Sequence, residues 1–381
     1  MSVYYFSAPG RTEIGGNHTD HQHGCVLAAA VDLHTIAEVR LTNDSLITVH
    51  SEGYPTVQID LSDLHVHPEE ANTTAALVRG VAAAFARRGA ALKGFCARVR
   101  SSVLPGSGLS SSAAFEVLTG TILNELFFDK RLTPVEIAQI GQWAENVYFG
   151  KPCGLMDQTA SSVGGIVYID FADPASPTIE KLTFDFTQSG HALCIIDCGA
   201  DHADLTREYA AIPGELKALC ALFDKQVLRD IPESLFFAQL PAIRHQVPDR
   251  AILRAIHFYQ ENRRVQQQKH ALLSHDFARF LALVRESGRS SWMYLQNITP
   301  AGETQHQDMA LALAMCDTLL GDRGAYRVHG GGFAGTVQAF VPLDMLNDFR
   351  SGIEAVFGQN SCHVLSIRSE GGIRLQHEVT L

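Results

Sequence analysis

The chain has 381 residues, 46% of them hydrophobic and 19% charged, with 30 Lys and Arg set against 41 Asp and Glu. The resulting net charge of −11 argues against a nucleic-acid binder, which draws on a basic face. No apolar run reaches the length of a membrane span and the N-terminus lacks a secretory pattern, so a cytoplasmic globular protein with no membrane partner is expected. The eight cysteines are scattered with no CxxC pair. They read as small buried hydrophobes rather than a disulfide framework. The Asn-x-Ser/Thr triplets at Asn17, Asn43, Asn72 and Asn297 read as chance matches.

In chain order, residues 3–6, 35–41 and 46–50 read as strands separated by turn residues. An alanine-rich helix is expected over 74–88 and a strand over 95–99, leading into a serine- and glycine-rich loop. Beyond the loop, Phe115, Leu118, Ile122 and Leu126 recur at helical spacing. A further helix is expected over 133–148, stopped near Gly150 and Pro152. Residues 166–171 and 193–197 read as strands, and 205–320 as mainly helical, including a helix at 254–265 with one charged face. Residues 337–341 and 363–366 close the set as strands. No internal repeat or low-complexity linker interrupts the chain; the nearest thing to a boundary is the proline-bearing stretch 173–177. Pattern alone supports mixed α and β structure.

The most informative run spans residues 101–116, Ser-Ser-Val-Leu-Pro-Gly-Ser-Gly-Leu-Ser-Ser-Ser-Ala-Ala-Phe-Glu. It delivers backbone amides into a helix N-terminus, where unpaired N–H groups and the helix dipole suit phosphate. It holds no lysine, so it is not the GxxxxGK[ST] phosphate loop. Read alone, it is equally a serine-rich helix cap. Three further motifs accompany it: Ala8-Pro9-Gly10-Arg11 through Gly16-Asn17-His18-Thr19-Asp20-His21, then Cys153-Gly154-Leu155-Met156-Asp157-Gln158, then His329-Gly330-Gly331-Gly332-Phe333-Ala334-Gly335. The last fits GxGxxG on paper, but a strand-like segment follows where a dinucleotide site needs a helix. His18, His21 and His23 are spaced like metal ligands but have no cysteine partner nearby.

Together, from residue 8 to about 340, these motifs resemble the small-molecule kinases named for galactokinase, homoserine, mevalonate and phosphomevalonate kinases (GHMP), and the His-Thr-Asp run resembles the galactokinase branch in particular. The resemblance implies an α+β fold of two lobes, 1–176 with the sugar motif and phosphate loop and 177–381 with the third motif, and an active site in the cleft between them. It implies an ATP-dependent sugar kinase acting on the anomeric hydroxyl of galactose, with ATP as co-substrate and Mg2+ as cofactor, as a monomer or weak homodimer. Gly106, Ser107, Gly108, Leu109, Ser110, Ser111 and Ser112 would cradle the nucleotide phosphates, and Ser112 and Glu145 would hold the metal. Arg11 and Asp157 would be catalytic. Asn17, His18, Asp20, Gly154, Asp157 and Tyr209 would read the sugar. Each has a plainer reading: Arg11 as a structural ion pair, Glu145 as an exposed helix carboxylate, Asp157 as a loop or capping residue. The chain departs from the branch where Asn17 replaces glutamate, His21 replaces tyrosine and Asp201 stands for a basic residue. Those departures keep a kinase for another sugar (an amino sugar, a heptose or another hexose) open, and a non-catalytic sugar and nucleotide sensor is the alternative from another class.

Overall fold

The computed structural model describes all residues except 1, 104–107, 152, 200–204, 334 and 379–381, together with the side chain of Thr206. The chain opens on two long strands, β1 (Val3–Gly15) and β2 (Cys25–Leu41), followed by β3 (Leu46–Ser51) and β4 (Val57–Asp60). Helix α1 (Thr74–Arg87) leads to β5 (Phe95–Ser101). Helices α2 (Ser111–Phe127), α3 (Pro134–Ala144) and α4 (Met156–Val163) precede β6 (Ile166–Asp170) and β7 (Thr178–Leu182). After β8 (His191–Asp197) come five helices, α5 (Thr206–Ala221), α6 (Glu233–Ile243), α7 (Asp249–Leu273), α8 (Phe277–Ser290) and α9 (Asp308–Leu320). Strands β9 (Ala325–His329) and β10 (Thr336–Pro342), helix α10 (Leu346–Phe357), β11 (Cys362–Leu365) and β12 (Ile373–Leu375) complete the chain.

Two sheets organise these elements. The first runs β12-β1-β2-β5-β3-β4, with β6 pairing β2 and β7 extending β6; the second runs β11-β8-β10-β9. The expected division at 176/177 cuts across the first sheet, because β7 and β12 both lie beyond it. One face of the first sheet packs Phe6, Val39, Phe95 and Ala97 against Val78, Phe85, Leu118 and Ile140 of α1–α3. A second core joins Ile14, Leu27 and Ala29 to Ile195, Phe340, Val265 and Phe280, so the two sheets and helices α7 and α8 share apolar contacts.

Strand β1 is far longer than the 3–6 read from pattern. It continues through Pro9 and Gly10, with register shifts against β2 at Pro9/Arg11 and Glu13/Gly15. Bulges of this kind re-aim side chains, and here they place the first motif on a strand beneath the start of α2. The Arg11 amide donates to the Leu109 carbonyl at 3.0 Å, and Ser161 Oγ to the Pro9 carbonyl at 2.6 Å. Asp157 sits in the first turn of α4 rather than in a loop. The expected helix 133–148 ends as α3 at Ala144 and continues as a π-turn, Glu145–Phe149.

Candidate active site

Arg11 is the centre of the site. Its Nε and Nη2 donate to Asp157 Oδ1 and Oδ2 at 2.7 and 2.6 Å, and Nη1 donates to the Gly108 carbonyl. The planar fork suits this bidentate grip. Ser110 Oγ adds a hydrogen bond to Asp157 Oδ2 at 2.8 Å. Burial pushes the Asp157 carboxyl up, but the Arg11 charge and the bonds from Arg11 and Ser110 outweigh it and hold it below its ordinary value. Ser110 is the N-cap position of α2, at a left-handed φ of 56°, yet its hydroxyl does not cap the helix. Among the described residues Ser110 thus gives the first amides of α2 no side-chain cap, which suits them to a bound anion. Leu109 is fully buried, so its side chain contributes packing. Gly106 and Ser107 lie outside the described residues, as does Asp201.

Behind this pair lies a second carboxylate group. Ser112 Oγ faces Glu145 Oε1 at 3.5 Å, while Gln158 Nε2 bridges Glu145 Oε2 at 2.8 Å and Glu116 Oε2 at 3.0 Å. Burial, with the Glu145 charge, raises Glu116 well above the carboxylate range. Glu145 is itself buried, not the exposed helix residue of its plainer reading. One oxygen of Glu145 thus faces a hydroxyl while the other is occupied. That donor pair fits Mg2+, which takes oxygen ligands and completes its shell with water and phosphate. Among the described residues no group of three or more His, Cys, Asp and Glu is arranged to hold a metal.

The expected sugar readers are placed differently. Asn17 is fully buried and its carboxamide is satisfied on every side. Its Nδ2 donates to Glu13 Oε1 and the Gly330 carbonyl at 3.1 and 2.7 Å, and its Oδ1 accepts from Asn297 Nδ2 and Ser291 Oγ at 2.9 and 3.3 Å. His18 Nε2 donates to the Gly331 carbonyl at 2.9 Å, which leaves Nδ1 to accept from His21 Nε2 at 3.3 Å. His21 Nδ1 then accepts from Gln22 Nε2 at 3.2 Å, so one set of neutral tautomers satisfies the chain. Burial, reinforced by His18, lowers His21 to about 3. Asp20 and Gly154 do meet: a Cβ on Gly154 would stand 2.5 Å from Asp20 Oδ2, so only glycine allows that approach. Burial pushes the Asp20 carboxyl up. Tyr209 Oη donates to the Gly332 carbonyl at 2.9 Å.

The third motif closes over the first. Gly332 adopts φ +83°, and a side chain there would overlap the Asn297 carbonyl. His329 Nε2 lies 3.0 Å from Thr12 Oγ1, and its Nδ1 lies 2.9 Å from Thr336 Oγ1. Arg327, with no exposed side-chain surface, pairs with Glu13. From α7, His257 Nε2 donates to the Asn17 carbonyl at 2.9 Å and Glu261 Oε1 accepts from the Gly16 amide at 3.1 Å. Sequence reading missed Glu13, Arg327, Asn297, His257 and Glu261, because each partner lies hundreds of residues away. Gln158 could have been found, since it closes the Met156-Asp157-Gln158 motif. A cavity of about 400 Å3 adjoins the α2 start, lined by Ser111, Ser112 and Phe115 with Leu77, Val99 and Asn72.

Comparisons with known proteins bear on the family and the fold. The model for the GHMP kinases N terminal domain matches residues 76–165, and the galactokinase galactose-binding signature matches residues 2–41. A galactokinase of Streptomyces coelicolor is 29% identical over 354 residues, 92% of this chain and 88% of that one. The crystal structure of Lactococcus lactis galactokinase complexed with galactose superposes with a TM-score of 0.82 at 25% identity, covering 98% of this chain and 95% of that one. A mevalonate kinase structure shares the fold alone, with a TM-score of 0.69 at 13% identity over 96% of this chain and 99% of its own. Motifs, fold and relatives thus converge: the chain is similar to the GHMP kinases and, among them, to the galactokinases.

Proposed function

We propose that this chain is a cytoplasmic, ATP-dependent sugar kinase that converts galactose to galactose 1-phosphate. The observation that carries the reading is the Arg11–Asp157–Ser110 group, set between the uncapped start of α2 and the Asp20–Gly154 approach. The nucleotide would lie in the cavity beside Ser111 and Ser112, its phosphates on the α2 amides. Ser112 and Glu145 would hold Mg2+, which when bound neutralises phosphate charge. The anomeric oxygen forms a bond to the γ-phosphorus as the bond to the β,γ-bridging oxygen breaks, and ADP departs. The hydroxyl proton passes late to Asp157 and on to water. Because Asp157 is held below its ordinary value, it is a weak base. Its main work is to orient the hydroxyl in a loose transition state, while Arg11 keeps it ionised and faces the transferring group.

A second reading, a kinase for another sugar, is favoured by the inward bonding of Asn17 and His18, which spends both side chains on the protein itself. ADP release with Mg-ATP across galactose, N-acetylgalactosamine, glucose, mannose, arabinose and a heptose separates the two. Efficient turnover of galactose supports the first reading. Turnover confined to another sugar replaces it with the second, and silence across the panel with both ligands bound returns the sensor reading.

A further inference from the structure

The transferring phosphoryl group needs positive charge, and Arg11, paired with Asp157, supplies only part of it. Each of its three nitrogens already donates once, two to Asp157 and one to the Gly108 carbonyl, which leaves only the second N–H of Nη1 and of Nη2. The serine-rich run contributes no lysine. The carboxylates of Asp157 and Glu145 share this region, with the Glu116 carboxyl behind them. An incoming triphosphate adds more negative charge.

Lys151 answers this imbalance. The π-turn Glu145–Phe149 ends on Gly150, whose left-handed φ of 84° reverses the chain, and the amides of Gly150 and Lys151 both donate to the Glu145 carbonyl, at 3.0 and 3.2 Å. Such single-turn π insertions occur frequently at functional sites. The far side of the loop is tied as well: the Cys153 amide donates to Asn146 Oδ1 at 2.7 Å and Gln142 Nε2 to the Cys153 carbonyl at 3.2 Å. Lys151 is thus held at its backbone beside Glu145, while its side chain stays 62% exposed with Nζ 3.6 Å from Glu145 Oε1. That oxygen is the one facing Ser112. A lysine is a compact point charge on a flexible stem, and the exposed Lys151 ammonium can swing from Glu145 Oε1 to a phosphate oxygen beside it. Its field already reaches both Asp157 and Glu116.

Building on the sugar-kinase reading, we infer that Lys151 is a catalytic residue whose ammonium contacts the γ-phosphoryl group of ATP and stabilises the charge of its transfer. Lys151→Gln and Lys151→Arg test this with two readouts. In steady-state ADP release, Lys151→Gln should lose about 10²-fold in kcat, the scale of removing one charge-stabilising donor. The sugar KM should stay within about twofold, and Lys151→Arg should recover most of the loss. In calorimetric titrations, Lys151→Gln should weaken Mg-AMPPNP about tenfold, one lost charged contact, and leave Mg-ADP nearly unchanged. Equal weakening of both nucleotides, or a kcat within about twofold of wild type, would overturn the inference and leave Lys151 as a tether for Glu145. If the wild-type protein releases no ADP with any sugar, the sugar-kinase reading fails by itself. The ratio of AMPPNP to ADP affinity then still decides whether Lys151 meets the γ-phosphate.

Discussion

Two ion pairs hang from strand β1 only two residues apart, and they do different work. Arg11–Asp157 stands at the mouth of the site, with the aspartate side chain 31% exposed, and its members are held by short polar contacts from Ser110 and Gly108. Glu13–Arg327 is sealed, with the arginine side chain wholly buried, and it ties the first motif to β9. An exposed edge lets the mouth pair meet a ligand; the sealed pair can meet only the protein. Adjacent charges on one strand therefore divide into a pair for chemistry and a pair for architecture, and burial makes the division.

The comparison breaks most visibly at the sealed pair. Removing one partner leaves the other as an uncompensated buried charge, at about 3–5 kcal/mol. Glu13→Ala should therefore lower the unfolding free energy from urea titration by an amount on that scale, with a lower midpoint, and the double variant Glu13→Met/Arg327→Met should regain most of it. A single variant with the wild-type midpoint would show that the pair does not hold the two motifs together.

A smaller effect comes from protons. His21, His257 and His329 are all held below the ordinary imidazole value by burial, which disfavours their charged forms. The unfolded chain takes up these protons near pH 6.5 while the folded chain does not, so stability falls as pH drops below about 6.5. Each histidine contributes at most about 1.4 kcal/mol per pH unit. Asp157 has the opposite origin and a lower window: its depressed carboxyl adds stability above about pH 3.9 that is lost as pH falls further. Urea midpoints between pH 7 and 5 should decline, and less steeply in His21→Gln. A midpoint that holds steady on acidification would mean these rings are not kept neutral.

The same division explains what could be read before the structure was known. Arg11, Ser110, Asp157, Ser112 and Glu145 were legible because their chemistry is tied to short motifs, and the structure brings them together. The helical stretch between 205 and 320 followed from periodicity. The N-terminal half of β2 did not, since Cys25–Val31 is a fully buried, alanine-rich run with no alternation. Strand β1 beyond Phe6 was hidden by Pro9 and Gly10, which ordinarily mark turns but here sit at a register shift. Asn17 and His18 were read as facing a ligand because residue type cannot reveal which protein groups a side chain bonds. Their partners, Gly330, Gly331 and Asn297, lie about 280 to 313 residues away, and no local pattern records such distances.

The central claim is that the mouth pair performs phosphoryl transfer to a sugar. Asp157→Asn tests it most directly, by ADP release with Mg-ATP and the sugar the wild-type protein turns over, alongside calorimetric nucleotide binding. The account predicts a loss on the order of 10³-fold in kcat, with Mg-ATP affinity close to wild type. Turnover within a few-fold of wild type would contradict it and return Arg11–Asp157 to a structural ion pair.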